Sequence, residues 1–137
     1  MEPINFEELI KTAGEAYAVL KQTGLTKPLK DGTLIFTNWF GSLFTRKIHK
    51  EKIVLMEQLT ADEETLKMLQ LELEAQTEEN EILKQEISQK QKEYSEFRNN
   101  PEFAPIFNIA NSALKNVVNA PISNVTGNIN IGDIYNK

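Results

Sequence analysis

Residues 55–98 read LMEQLTADEETLKMLQLELEAQTEENEILKQEISQKQKEYSEFR, and the spacing of their apolar side chains decides the expected fold. Written as heptads, position a falls on Leu59, Leu66, Leu73, Asn80, Ile87 and Tyr94. Position d falls on Leu55, Asp62, Leu69, Gln76, Leu83, Lys90 and Phe97. Nine of these thirteen positions are apolar if Tyr94 is counted, which predicts a coiled-coil-type helix with one apolar seam. A buried amide is costly unless it meets its mate in a neighbouring helix, so Asn80 would set register. Asp62, Gln76 and Lys90 interrupt the seam.

Two arrangements cover such a stripe: the chain's own second helix, or another copy of the chain. A rod of about 60 Å at 1.5 Å per residue, the lone Asn80 and the scarcity of other apolar partners favour another copy. Thr60-Ala61-Asp62-Glu63 has capping-box spacing and permits a break. The alternative is one continuous helix, since no proline or glycine occurs between Ser42 and Asn100. Asn99-Asn100-Pro101 ends it, because the residue before proline leaves the helical region.

Upstream, Phe6, Leu9, Ile10, Ala13, Ala16, Tyr17 and Leu20 form the stripe of an amphipathic helix over Asn5–Gln22. Asn5 suits its cap, Glu7 and Glu8 its first turn, and Gly24 its end. Pro28 and Asp31-Gly32 read as a connection, with a second helix beginning near Thr33 or Leu34. That helix is crowded with aromatics and followed by cations. Phe36, Trp39, Phe40 and Phe44 are therefore either core against the first helix or contacts to an anionic membrane surface.

Charge is unevenly placed. Residues 27–52 carry six basic and two acidic groups, and residues 57–97 four basic and twelve acidic. Antiparallel docking of the two stretches, or separate partners for each, would follow. The net charge of −5 argues against a nucleic-acid binder. Without cysteine there is no disulfide or thiolate chemistry, and with neither a signal-like N-terminus nor a long apolar run the expected location is cytoplasmic, with membrane association as the variant. His49 is the single histidine and reads as a solvent-facing residue rather than a ligand. No Gly-rich phosphate loop and no nucleophile with a base is present, so neither enzymatic activity nor a metal or cofactor is expected.

After Pro101 the composition shifts, with eight asparagines and four charged residues among the last 37. Phe103, Ile106, Phe107, Ile109, Ala110, Leu114 and Val117 mark a short amphipathic helix bounded by Pro105 and Pro121. Beyond it Val125, Gly127, Ile129 and Ile131 alternate with polar residues, the pattern of a strand. Val125-Thr126-Gly127-Asn128-Ile129 and Asn130-Ile131-Gly132-Asp133-Ile134 form a five-residue pseudo-repeat. A lone apolar strand is an open edge that another copy, or another protein carrying a like segment, can pair with.

The layout therefore has four parts: a two-helix head (1–54), a coiled-coil helix (55–98), a linker with a short helix (99–121) and a β tail (122–137). The fold class is mainly α. Oligomerisation is expected through Leu59, Leu66, Leu69, Leu73, Asn80, Leu83, Ile87, Tyr94 and Phe97, with Val125, Ile129, Ile131 and Ile134 as a second device. Ile122 to Tyr135, placed after a helical region, resembles the tails of bacterial helical domains that end in amyloid-signalling motifs, and those beside effector-associated adaptor domains of conflict systems. The resemblance implies a tail that templates assembly with a sensor protein and an aromatic helix that acts on a membrane. The leading expectation is a non-enzymatic homo-oligomeric assembly protein. A membrane-active effector or signalling adaptor, and a phage or virion fibre adaptor, are the alternatives.

Overall fold

Asn5 opens the first helix as its composition suggests: the side-chain oxygen accepts from the Glu8 amide at 3.0 Å, and Glu7 and Glu8 face the positive helix end. The computed structural model describes residues 4–119. Within them the helices are α1 (Phe6–Leu20), α2 (Lys27–Ser42), α3 (Lys47–Glu57), α4 (Glu63–Thr77), α5 (Glu81–Arg98) and α6 (Ala104–Asn119). The mainly helical class holds for these residues. The expected strand at 122–137, with Val125, Ile129, Ile131 and Ile134, lies outside the described residues.

Helix α1 packs against α2, α3, α4 and α6. Its middle, Ala13 to Val19, is buried on every side. Small residues make this geometry accessible, because Ala13, Gly14, Ala16 and Ala18 let neighbouring helices approach from several directions. Gly24 follows with a φ of +74°, the left-handed conformation that a glycine adopts without steric cost.

Pro28 and Gly32 lie inside α2 and not in a connection. Proline lacks an amide that the first helical turn would leave unbonded in any case, so Pro28 sits near the start of α2. Gly32 permits contact: a Cβ at this position would overlap the Phe97 ring of α5. Helix α2 then stops at Ser42, one residue after Gly41 and with no proline following it. Here tertiary packing prevails over local propensity, because the turn places both Leu43 and Phe44 in the core, and the Gln76 side chain donates to the freed Leu43 carbonyl at 3.0 Å.

The long helix expected over residues 55–97 is divided among the end of α3, α4 and α5. At the first break, the amide of Thr60 bonds the Leu55 carbonyl at 2.9 Å and that of Leu59 bonds Met56 at 3.0 Å. This pair of bonds is the Schellman pattern, with Leu59 at a φ of +59° where glycine is usual. Asp62, and not Thr60, caps α4 by accepting from the Thr65 amide at 2.8 Å. At the second break the Thr77 hydroxyl donates back to the Leu73 carbonyl at 2.9 Å, a bond that favours bending. Asn80 then caps α5 by accepting from Leu83 N at 3.0 Å.

The purpose of both breaks is visible in the packing. Folding the stripe back on itself brings Leu69, Leu73, Ile87 and Tyr94 into a single core with Phe36, Phe40 and Phe44. A run of aromatic contacts connects four helices: Tyr17 meets Phe40 edge-on at 6.5 Å, Phe36 stacks on Tyr94 at 4.1 Å, and Tyr94 meets Phe107 at 6.2 Å.

The Asp62 cap has a pH signature. Hydrogen bonds from Thr65 hold its carboxyl below the ordinary 3.8. A depressed folded-state value means the contribution is complete above that ordinary value and is lost as pH falls through the lowered one. Acid titration below about pH 4 should therefore erode the native state less steeply in Asp62→Asn, which retains a cap without a titrating group. Equal slopes in urea melts of the two proteins would argue against the assignment.

Candidate functional site

The residues expected to form an intermolecular seam are instead occupied within one chain. Leu69, Leu73 and Ile87 are fully buried and Tyr94 nearly so, while Leu59, Leu66, Leu83 and Phe97 pack half-buried against the same core. A side chain already enclosed by its own chain cannot also be a knob for another copy. Asn80, expected as a register-setting seam amide, is exposed in the single chain and caps α5. Asn80→Ala should accordingly destabilise the fold by about 1 kcal/mol, the usual worth of a cap, with no change in solution mass. Loss of oligomers on this substitution would restore the seam.

The proposed membrane contacts resolve similarly. Phe36, Phe40 and Phe44 are 3%, 0% and 1% exposed, so they are core in this conformation. Trp39 is half-buried at the surface of α2, and its indole N–H donates to the Glu86 carboxylate of α5 at 2.6 Å. Among the described residues, no helix is long and apolar enough to cross a membrane.

Sequence reasoning missed the main polar feature of the interior. Glu15, in the buried middle of α1, receives a forked pair of bonds from Arg98 at the end of α5: Nε to Oε1 at 2.7 Å and the terminal nitrogen to Oε2 at 2.6 Å. The guanidinium also lies 5.2 Å from the Phe107 ring centre, so one side chain joins α1, α5 and α6. The available signal was a carboxylate set among Ala13, Gly14, Ala16 and Ala18. Its partner is 83 positions away, beyond the reach of any local pattern.

His49 is buried rather than solvent-facing. Its ring packs by Phe44, its Nε2 lies 3.8 Å from Glu72 Oε1, and its Nδ1 has no partner among the described residues. Among the described residues no three acidic or histidine side chains gather as a metal would require. Tyr17 and Tyr94 are unsuited to proton transfer near neutrality, since burial pushes both phenols well above their ordinary value of 10.0.

One recess among the described residues is a cleft of about 870 Å³ between α1, the α3–α4 connection, α4 and α6. Its walls are apolar below and charged at the rim, with no nucleophile and base brought together there. Comparison of the chain with protein-family models, curated proteins and solved structures gave no significant match. The functional reading therefore rests on the residues themselves.

Proposed function

We propose that this chain is a non-enzymatic homotypic assembly protein, in which a closed helical body carries the self-associating segment 122–137. The observation that supports the reading is the internal use of the heptad stripe. With Leu69, Leu73 and Ile87 enclosed by their own chain, these seam positions are occupied, and this favours the terminal segment of the two assembly devices expected from the sequence. Its alternating Val125, Ile129 and Ile131, and its asparagines, suit strand pairing between identical segments. The resemblance of Ile122–Tyr135 to amyloid-signalling tails supports a particular form of this reading, an adaptor whose tail pairs with a like segment in a sensor protein.

The test is solution mass and fibre formation for the full chain, for a chain lacking residues 122–137, and for Ile129→Asp. Assembly should require the intact segment, while the helical circular-dichroism signal should persist in all three. A full chain that stays monomeric at high micromolar concentration, or a truncated chain that assembles as well as the full one, removes the proposal.

A further inference from the structure

The connection between α3 and α4, Gln58-Leu59-Thr60-Ala61-Asp62, contains neither glycine nor proline. Leu59 nevertheless takes a φ of +59°, the left-handed conformation in which a Cβ crowds the following carbonyl oxygen. Among the described residues no other non-glycine residue has a positive φ. No residue of this connection obliges the chain to leave the helix, so the turn is held by what it brings together. That is the contact between two halves of the body, α1–α3 and α4–α6. The Glu15–Arg98 fork, the Gly32–Phe97 approach, the Trp39–Glu86 bond and the Gln76–Leu43 bond all pass from one half to the other. None of these contacts requires the two halves to belong to one chain.

We propose that two copies of this chain exchange α4–α6, each packing its second half on the first half of the other, with α3, the connection and α4 straightened into one helix. The contacts between halves are then re-formed between chains, so the difference from the closed monomer lies in the connection. Straightening releases Leu59 from its left-handed conformation, and short connections under strain are the ones that favour exchange. The heptad stripe supplies a new contact as well. Leu55, Leu59 and Leu66 are half-buried in the single chain and fall on one face of the straightened helix, where they can meet their counterparts as the two long helices cross. Exchange closes on itself at two chains, whereas strand pairing continues from copy to copy. It does not depend on residues 122–137 and, on the assembly reading, yields a unit that presents two such segments.

The full chain, refolded from urea at high micromolar concentration, should yield a dimer by solution mass, and Ile129→Asp should yield it equally. Glu63→Pro should lower the dimer fraction at least about tenfold with the helical signal retained. Glu63 is the first residue of α4 and Asp62 before it is already extended, at φ −92° and ψ 177°, so proline suits the turn and forbids the straight helix. Exchange itself is read by complementation. A Glu15→Leu chain refolded together with an Arg98→Met chain should give mixed dimers in about tenfold excess over either like dimer. In the mixed dimer one pair of halves holds an intact fork and the other holds neither charge, whereas each like dimer buries two charges without partners. Mixed and like dimers in random proportion, a dimer that Glu63→Pro leaves in place, or loss of the dimer in Ile129→Asp would overturn exchange. Fibres of the full chain without dimers remove exchange alone, and dimers without fibres remove tail assembly alone.

Discussion

Arg98→Met is expected to destabilise the fold by about 3 kcal/mol, the lower end of the range for breaking a buried ion pair from one side. The side chain of Glu15 is 5% exposed and that of Arg98 34%, so the substitution leaves the less accessible charge without its partner. Water reaching the open side of the pair moderates the loss, and for that reason the lower end applies. The forked geometry matters as well. Arg98→Lys retains a charge but cannot reproduce two parallel bonds, nor lie flat by Phe107, and should recover little. The double variant Glu15→Leu/Arg98→Met removes both charges and should be markedly more stable than Arg98→Met alone. Urea denaturation of the unsubstituted protein, Glu15→Leu, Arg98→Met and the double variant gives the coupling energy. If the double variant lost as much as the sum of the two single losses, the pair would be energetically independent and this account would be wrong.

Gly32→Ala reverses the usual sign of its substitution class. In an exposed helix interior, alanine gains up to about 1 kcal/mol over glycine. Here the added methyl overlaps the Phe97 ring, which is held by stacking on Tyr94 at 5.7 Å and by packing on Phe103 at 4.9 Å. The ring cannot swing aside without disturbing both neighbours, so a net loss of about 2 kcal/mol is expected, typical of overpacking. Phe97→Leu placed in the Gly32→Ala background should relieve part of that loss, and the melting temperatures of the four-member cycle would report it. A stabilised Gly32→Ala single variant would mean that α2 and α5 do not approach closely at this point.

Both sites show why part of the structure was legible and part was not. The α1 boundaries could be read from Asn5 and the i, i+3, i+4 stripe, because capping and amphipathicity act within one or two turns. The end of α5 before Pro101 could be read for the same reason. Gly32 was misread as part of a turn because glycine has two uses, freedom of φ and absence of a Cβ, and the second depends on a ring 65 positions away. Asn80 was misread because a single asparagine in a heptad stripe suits a buried register pin and a helix cap equally well. Which one it becomes is decided by whether the chain bends at Glu78 and Glu79.

The heptad periodicity itself was real, and its residues are apolar because they are buried. What it could not specify is the identity of the surface that buries them. A stripe of leucines loses the same solvent contact against a second copy as against its own folded-back chain, since hydrophobic burial has no direction and no memory of connectivity. By itself the sequence determined a mainly helical chain, the start of α1, the end of α5 and the presence of a separate low-charge terminal segment. Only the tertiary structure decided that the stripe closes on itself, because the Leu59 and Asn80 breaks, the Gly32–Phe97 contact and the Glu15–Arg98 fork are favourable together and invisible one at a time.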